Sequence, residues 1–101
     1  MRTNFRSYNL ALSFYRQAQT LPLTGDLRDQ LHRASSGIVL TLAEGSGRAT
    51  KPDRRRFYVM AFGSIRECQA VLDLANAPQP LVQLADSLAA SVYKLVESQR
   101  T

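Results

Sequence analysis

Read for its apolar positions, the chain divides into four amphipathic stretches separated by three proline- and glycine-rich clusters. The clusters are Leu21-Pro22-Leu23-Thr24-Gly25, Gly45-Ser46-Gly47-Arg48-Ala49-Thr50 and Ala77-Pro78-Gln79-Pro80. Each intervening stretch is long enough for a helix, and only Pro52, near one start, interrupts them. Nothing alternates with the period of a strand, and there are no tandem repeats or low-complexity tracts.

In the first stretch, Phe5, Tyr8, Leu12 and Tyr15 share one helical face. Leu10, Ala11, Phe14 and Ala18 form a second apolar stripe beside it. Together the stripes span roughly 200° of the helix, more than one core contact needs. The second stripe, with Leu10, Phe14 and Ala18 at its centre, is therefore assigned to an interface with another subunit. The second helix is expected to start near Asp26, with Leu27, Leu31, Ala34, Ile38 and Leu42 inward. Its later part, residues 38–43, is apolar nearly all round and is expected to be buried, and Gly45 and Gly47 to end it with positive φ.

The third helix opens with Thr50 as cap, Pro52 in the first turn and Asp53 as capping acid. Phe57, Ala61, Ser64, Cys68, Val71 and Ala75 mark its core stripe, widened by Tyr58, Phe62 and Ile65, and Pro78 stops it. The fourth helix begins at Pro80 or Leu81 and is one-sided, with Leu81, Leu84, Leu88, Val92 and Leu95 inside. Short links favour helices packed against their sequence neighbours. The expected fold is an all-α, antiparallel, up-down-up-down four-helix bundle, one domain over residues 1–101.

Composition narrows the function classes. At 101 residues, 45% of them hydrophobic and 21% charged, the chain is globular and has a modest core that oligomerisation would enlarge. No apolar run reaches the roughly 20 residues of a membrane span, and the start lacks the apolar stretch of a secretion signal. One cysteine, Cys68, cannot form an internal disulfide, so a reducing cytoplasm is the expected setting. The net charge of +5 is uneven: residues 1–56 hold ten Arg/Lys against four Asp/Glu, residues 57–101 three against four.

Site chemistry is sparse. Helix bundles hold di-metal centres with several carboxylates and Glu-x-x-His pairs; here His32 is the only histidine and no such pair occurs. Glu44 and Glu67 could face inward, but two carboxylates are too few, so no metal and no cofactor is expected. Gly45-Ser46-Gly47-Arg48 lacks the preceding strand and the Gly-Lys-Ser/Thr ending of a phosphate loop. Ser35, Ser36 and Ser64 have no convergent His and Asp partners, and Cys68 reads as a core filler. No catalytic residue stands out, and the chain is not expected to be an enzyme.

One basic feature does stand out. Arg48, Lys51, Arg54, Arg55 and Arg56 place five cations in nine residues, opposed only by Asp53. Cations at the start of a helix oppose its macrodipole at about 0.3–1 kcal/mol each, so helix stability does not explain them. They read either as a phosphate-contacting patch for RNA or DNA, extended by Arg33 and by Arg2, Arg6 and Arg16, or as a solvated loop paired with Glu44, Asp53 or another subunit. Aromatic residues are scarce within the cluster, so binding would be driven by the nucleic-acid backbone.

The run Leu31-His32-Arg33-Ala34-Ser35-Ser36-Gly37-Ile38 through Leu42-Ala43-Glu44-Gly45-Ser46-Gly47-Arg48 resembles the signature of bacterial four-helix proteins encoded in intervening sequences of large-subunit ribosomal RNA genes. Ala61-Phe62-Gly63-Ser64-Ile65-Arg66-Glu67-Cys68 is similar to that family's second signature, and Leu21-Pro22 to its usual first link. Gly37 and Thr41 depart from the serine and asparagine common at those places. The resemblance implies a homopentameric barrel. It extends to the accessory variability proteins of diversity-generating retroelements, which are basic, bind nucleic acid and partner a reverse transcriptase. The implied role is an oligomeric accessory protein, either contacting RNA or DNA directly or serving as a scaffold for a reverse transcriptase or other protein.

Overall fold

Four stretches of good helix formers, each with an apolar face, become four helices: α1 (Arg6–Ala18), α2 (Gly25–Ser46), α3 (Lys51–Leu74) and α4 (Gln79–Ser98). This computed structural model describes residues 5–100, and Arg2 lies outside them. The described residues contain no strand. The helices close a ring of contacts, α1 on α2, α2 on α3, α3 on α4 and α4 back on α1. The body measures 40 × 22 × 21 Å. Its length matches the 24-residue α3, whose rise is about 36 Å.

The caps follow local chemistry. Thr50 Oγ1 accepts the Asp53 N–H at 3.3 Å, and Pro52 occupies the first turn of α3. Gly25 opens α2 at φ +62, where a side chain would be strained. The expected ending of α2 is different from the observed one. Gly45 lies inside the helix and is buried, and Gly47 has φ −90, so neither glycine supplies a left-handed residue. Gly45 serves packing instead. A Cβ there would stand 2.8 Å from Phe57 Cβ and 2.9 Å from Tyr58 Cε1, so its absence lets α3 approach α2 closely.

The core is continuous through all four helices. Phe14, Ile38, Leu42, Ile65, Leu72, Leu88, Val71 and Val92 are its largest fully buried apolar members. The interface expected on α1 is corrected by the packing at two of its three residues. Phe14 and Ala18, assigned to a subunit interface, are 0% and 4% exposed and belong to the protomer core. Leu10, assigned with them, packs half-buried at the core's edge. The inward face of α1 is Ser7, Ala11, Phe14 and Ala18, and the flanking stripe of Tyr8, Leu12 and Tyr15 stays half-exposed. Ser7 tolerates burial because its hydroxyl shares a 2.6 Å hydrogen bond with Ser91 of α4.

Helix α2 also shows a difference. Leu40 is 67% exposed although the run around it is apolar, because it lies opposite Ile38 and Leu42 on the helix. In α3 the buried face turns toward Ile65 and Leu72, leaving Ser64 and Ala75 half-exposed. In α4, Ala85, Ala89 and Val96 join Leu81, Leu88 and Val92 inside, while Leu84 and Leu95 flank. Cys68 is fully buried, and burial pushes its thiol up to about 12, with the Glu67 charge adding to the rise.

Candidate nucleic-acid interface

Side-chain contacts show which helix ends share one end of the body. The Phe5 ring meets Tyr58 edge-on at 6.4 Å, which sets the start of α1 beside the start of α3. Gly45 brings the end of α2 to the same place, and a 2.8 Å bond from Arg54 Nε to Gln99 Oε1 adds the end of α4. The half of the body nearer this end carries Arg6, Arg48, Lys51, Arg54, Arg55, Arg56, Lys94 and Arg100 against Glu44, Asp53 and Glu97. The far half carries Arg16, Arg28, Arg33 and Arg66 against Asp26, Asp29, Glu67, Asp73 and Asp86. Folding thus gathers the positive charge at one end.

Within the basic cluster the arginines have different duties. Arg48 pairs with Glu44 at 2.8 Å and approaches Asp53 at 3.8 Å. Arg56 pairs with Asp53 at 3.0 Å. Both guanidiniums also lie over the Phe57 ring, at 4.6 and 4.5 Å from its centroid, so the ring is sheathed by cations. Phe57 and Tyr58 are 6% and 4% exposed and offer no face for base stacking. Arg54 is a strut. Besides Gln99 it donates through Nη1 to the Arg48 and Ala49 carbonyls, at 3.0 and 3.1 Å, and fastens the α2–α3 link to the end of α4. Burial raises the Tyr58 hydroxyl beneath it, and the Arg54 charge opposes that rise.

Two members of the cluster are uncommitted. Among the described residues, Lys51 is exposed and makes no ion pair. Arg55 likewise makes neither hydrogen bond nor ion pair, and its Nε is buried without a partner. An unpaired buried donor costs about 1–3 kcal/mol, so an acceptor there would be favourable.

Arg33, expected to extend the patch, does not join it. It lies 13 residues before the end of α2, about 20 Å along the axis. Arg16 lies at the far end of α1. Sequence reasoning missed Arg100, which pairs with Glu97 at 2.8 Å and holds that carboxyl below the usual range, aided by the Arg55 charge. The up-down order expected from the sequence was the available signal, since it would return the end of α4 to the start of α3. Glu44 and Glu67, considered as inward carboxylates, are both exposed. No three His, Cys, Asp or Glu side chains come together as metal ligands would among the described residues. Gly37 stands opposite Ser64, where a Cβ would be 4.0 Å from Oγ.

Fold and surface together define a small all-α protein of four helices with its cationic groups gathered at one end. Residues 3–81 match the family described as 23S rRNA-intervening sequence protein, and the chain belongs to that family. The match covers α1 to α3 and the first residues of α4. No curated protein matches the chain in sequence. No helix among the described residues is long and apolar enough to cross a membrane.

Proposed function

We propose that this chain is a non-enzymatic, cytoplasmic accessory protein that binds RNA or DNA through backbone phosphates, using the basic end of an antiparallel up-down-up-down bundle. The observation that carries the reading is eight cations against three anions in one half of the body. Burial of Phe57 and Tyr58 favours phosphate contact over base stacking. The antiparallel order is supported by Arg54 at the start of α3 reaching Gln99 beyond the end of α4, and Ser7 early in α1 reaching Ser91 late in α4. We take the working form to be a homo-oligomer, a pentamer by family resemblance. Exposed Leu40, Val59, Met60 and Tyr93 supply apolar surface that association would cover.

Filter binding across a salt series tests the reading. Log K should fall linearly with log salt, by about 0.7–0.9 per phosphate contact. Lys51→Ala combined with Arg55→Ala should weaken binding to all sequences alike. Unchanged affinity would remove the basic end from consideration. Light scattering reports the assembly, and Leu40→Lys should lower the mass if that face is covered.

A second reading, a scaffold for a reverse transcriptase or other protein, is favoured by a different observation. Arg48, Arg54 and Arg56 direct hydrogen bonds or ion pairs within the chain. Retention of a protein partner after nuclease and high salt would select it.

A further inference from the structure

Pro52, Arg55 and Arg56 at the start of α3, with Gln99 and Arg100 beyond the end of α4, line a cavity of about 400 Å³. Three arginines line it, and among the described residues no acid does. Arg56 is held by Asp53 through Nη2, and Arg100 by Glu97 through Nε, so each keeps N–H groups that its acid does not take. Those ion pairs fix where the two guanidiniums stand. Arg55 has no acceptor at all among the described residues, and its Nε is buried. A phosphate is the ion suited to this arrangement, because its several oxygens accept from more than one guanidinium at once.

We propose that this cavity is a seat for one phosphate group, held by Arg55, Arg56 and Arg100. The seat deepens the reading given above and rests on it only for where the phosphate comes from. Duties within the cluster are then divided, with Arg55 and Arg56 taking the ligand together with Arg100 while Arg54 braces the end of the bundle. Gln99 and Arg100 lie beyond the residues matched by the family, so two of the five residues lining the cavity come from sequence outside that match. The phosphate belongs either to a nucleic-acid strand or to a free phosphate or mononucleotide, and the two arms of the test separate these sources.

The first arm titrates the full chain with inorganic phosphate while following the arginine Nε–Hε signals by NMR, with acetate at equal ionic strength as reference. The Arg55 and Arg100 signals should move with phosphate and not with acetate, while Arg54, held on Gln99, and the distant Arg28 and Arg66 stay in place. In Arg55→Gln the Arg100 response should be lost, with the Arg54 signal unchanged as proof that the end of the bundle is intact. Equal movement of all arginines, no movement, or a full Arg100 response in Arg55→Gln would overturn the seat.

The second arm measures strand binding by Arg55→Gln and Arg100→Gln. A loss of about tenfold in each names the strand as the source. Undiminished strand affinity beside a lost phosphate response names free phosphate or a mononucleotide. Either result upholds the seat. If the unsubstituted chain binds no strand, the proposed function fails, and the phosphate titration still decides the cavity.

Discussion

Replacing Gly45 by alanine adds one methyl group where α2 packs tightly against α3. Helix propensity alone favours the change by about 0.5–1 kcal/mol, since glycine is a poor helix former and Gly45 lies within α2. Sterics run the other way. The new carbon would sit 2.8 Å from Phe57 Cβ and 2.9 Å from Tyr58 Cε1, well inside contact distance. Phe57 Cβ is fixed to the α3 backbone and cannot swing aside. The helices must separate, at a cost of about 1–3 kcal/mol for an overpacked core. The net expectation is a loss of roughly 1–2 kcal/mol, or about 5–15 °C in Tm for a domain of this size. Gly63 is the control. It lies in α3, exposed, and a methyl group added there would meet nothing within 4 Å, so Gly63→Ala should gain about 0.5–1 kcal/mol. Thermal melts followed by circular dichroism at matched protein concentration compare the two. A Gly45→Ala protein as stable as the original would refute the close-approach argument.

Three further outcomes are expected. Arg54→Ala should destabilise the fold by about 1–2 kcal/mol in urea melts, since three hydrogen bonds across the end of the bundle are lost. Lys51→Ala should stay within about 0.5 kcal/mol of the parent in the same melts, having no ion pair to lose. Cys68 has a folded pKa raised to about 12 from 9.0, so the unfolded chain loses its proton first. Its contribution is therefore fully present below pH 9 and falls away as pH rises toward 12, by up to about 1.4 kcal/mol per unit, and Cys68→Ala should flatten that part of a stability–pH curve.

Much of the helix layout was legible because its signals are local. The Thr50 cap, the Pro52 first turn and the arrest of α3 before Pro78 each depend on residues within a few positions. The phase of a helix was harder. On α1 two apolar stripes competed, and the deciding facts were non-local: buried Ser7 finds its partner on α4, so the stripe ending in Phe14 and Ala18 goes inward. On α2 the run around Leu40 is apolar but for Thr41, and the polar residues on its outer side, Ser36 and Glu44, stand a full turn away in either direction. Gly45 looked like a terminator because glycine usually is one; only the neighbouring helix reveals why it is required. The basic cluster could be found by counting, but not its division of labour. Arg54 takes its acceptor from 45 residues away, and Arg100 joins only once α4 has returned.

The lopsided placement of charge has a geometric consequence for any assembly. Rotation about an axis parallel to the bundle preserves which way each copy points. A cyclic ring built that way therefore shows all of its arginine-rich tips on a single rim and a near-neutral opposite rim. A polyanion arriving at such a ring meets an oriented crown, and threads or drapes over one side only.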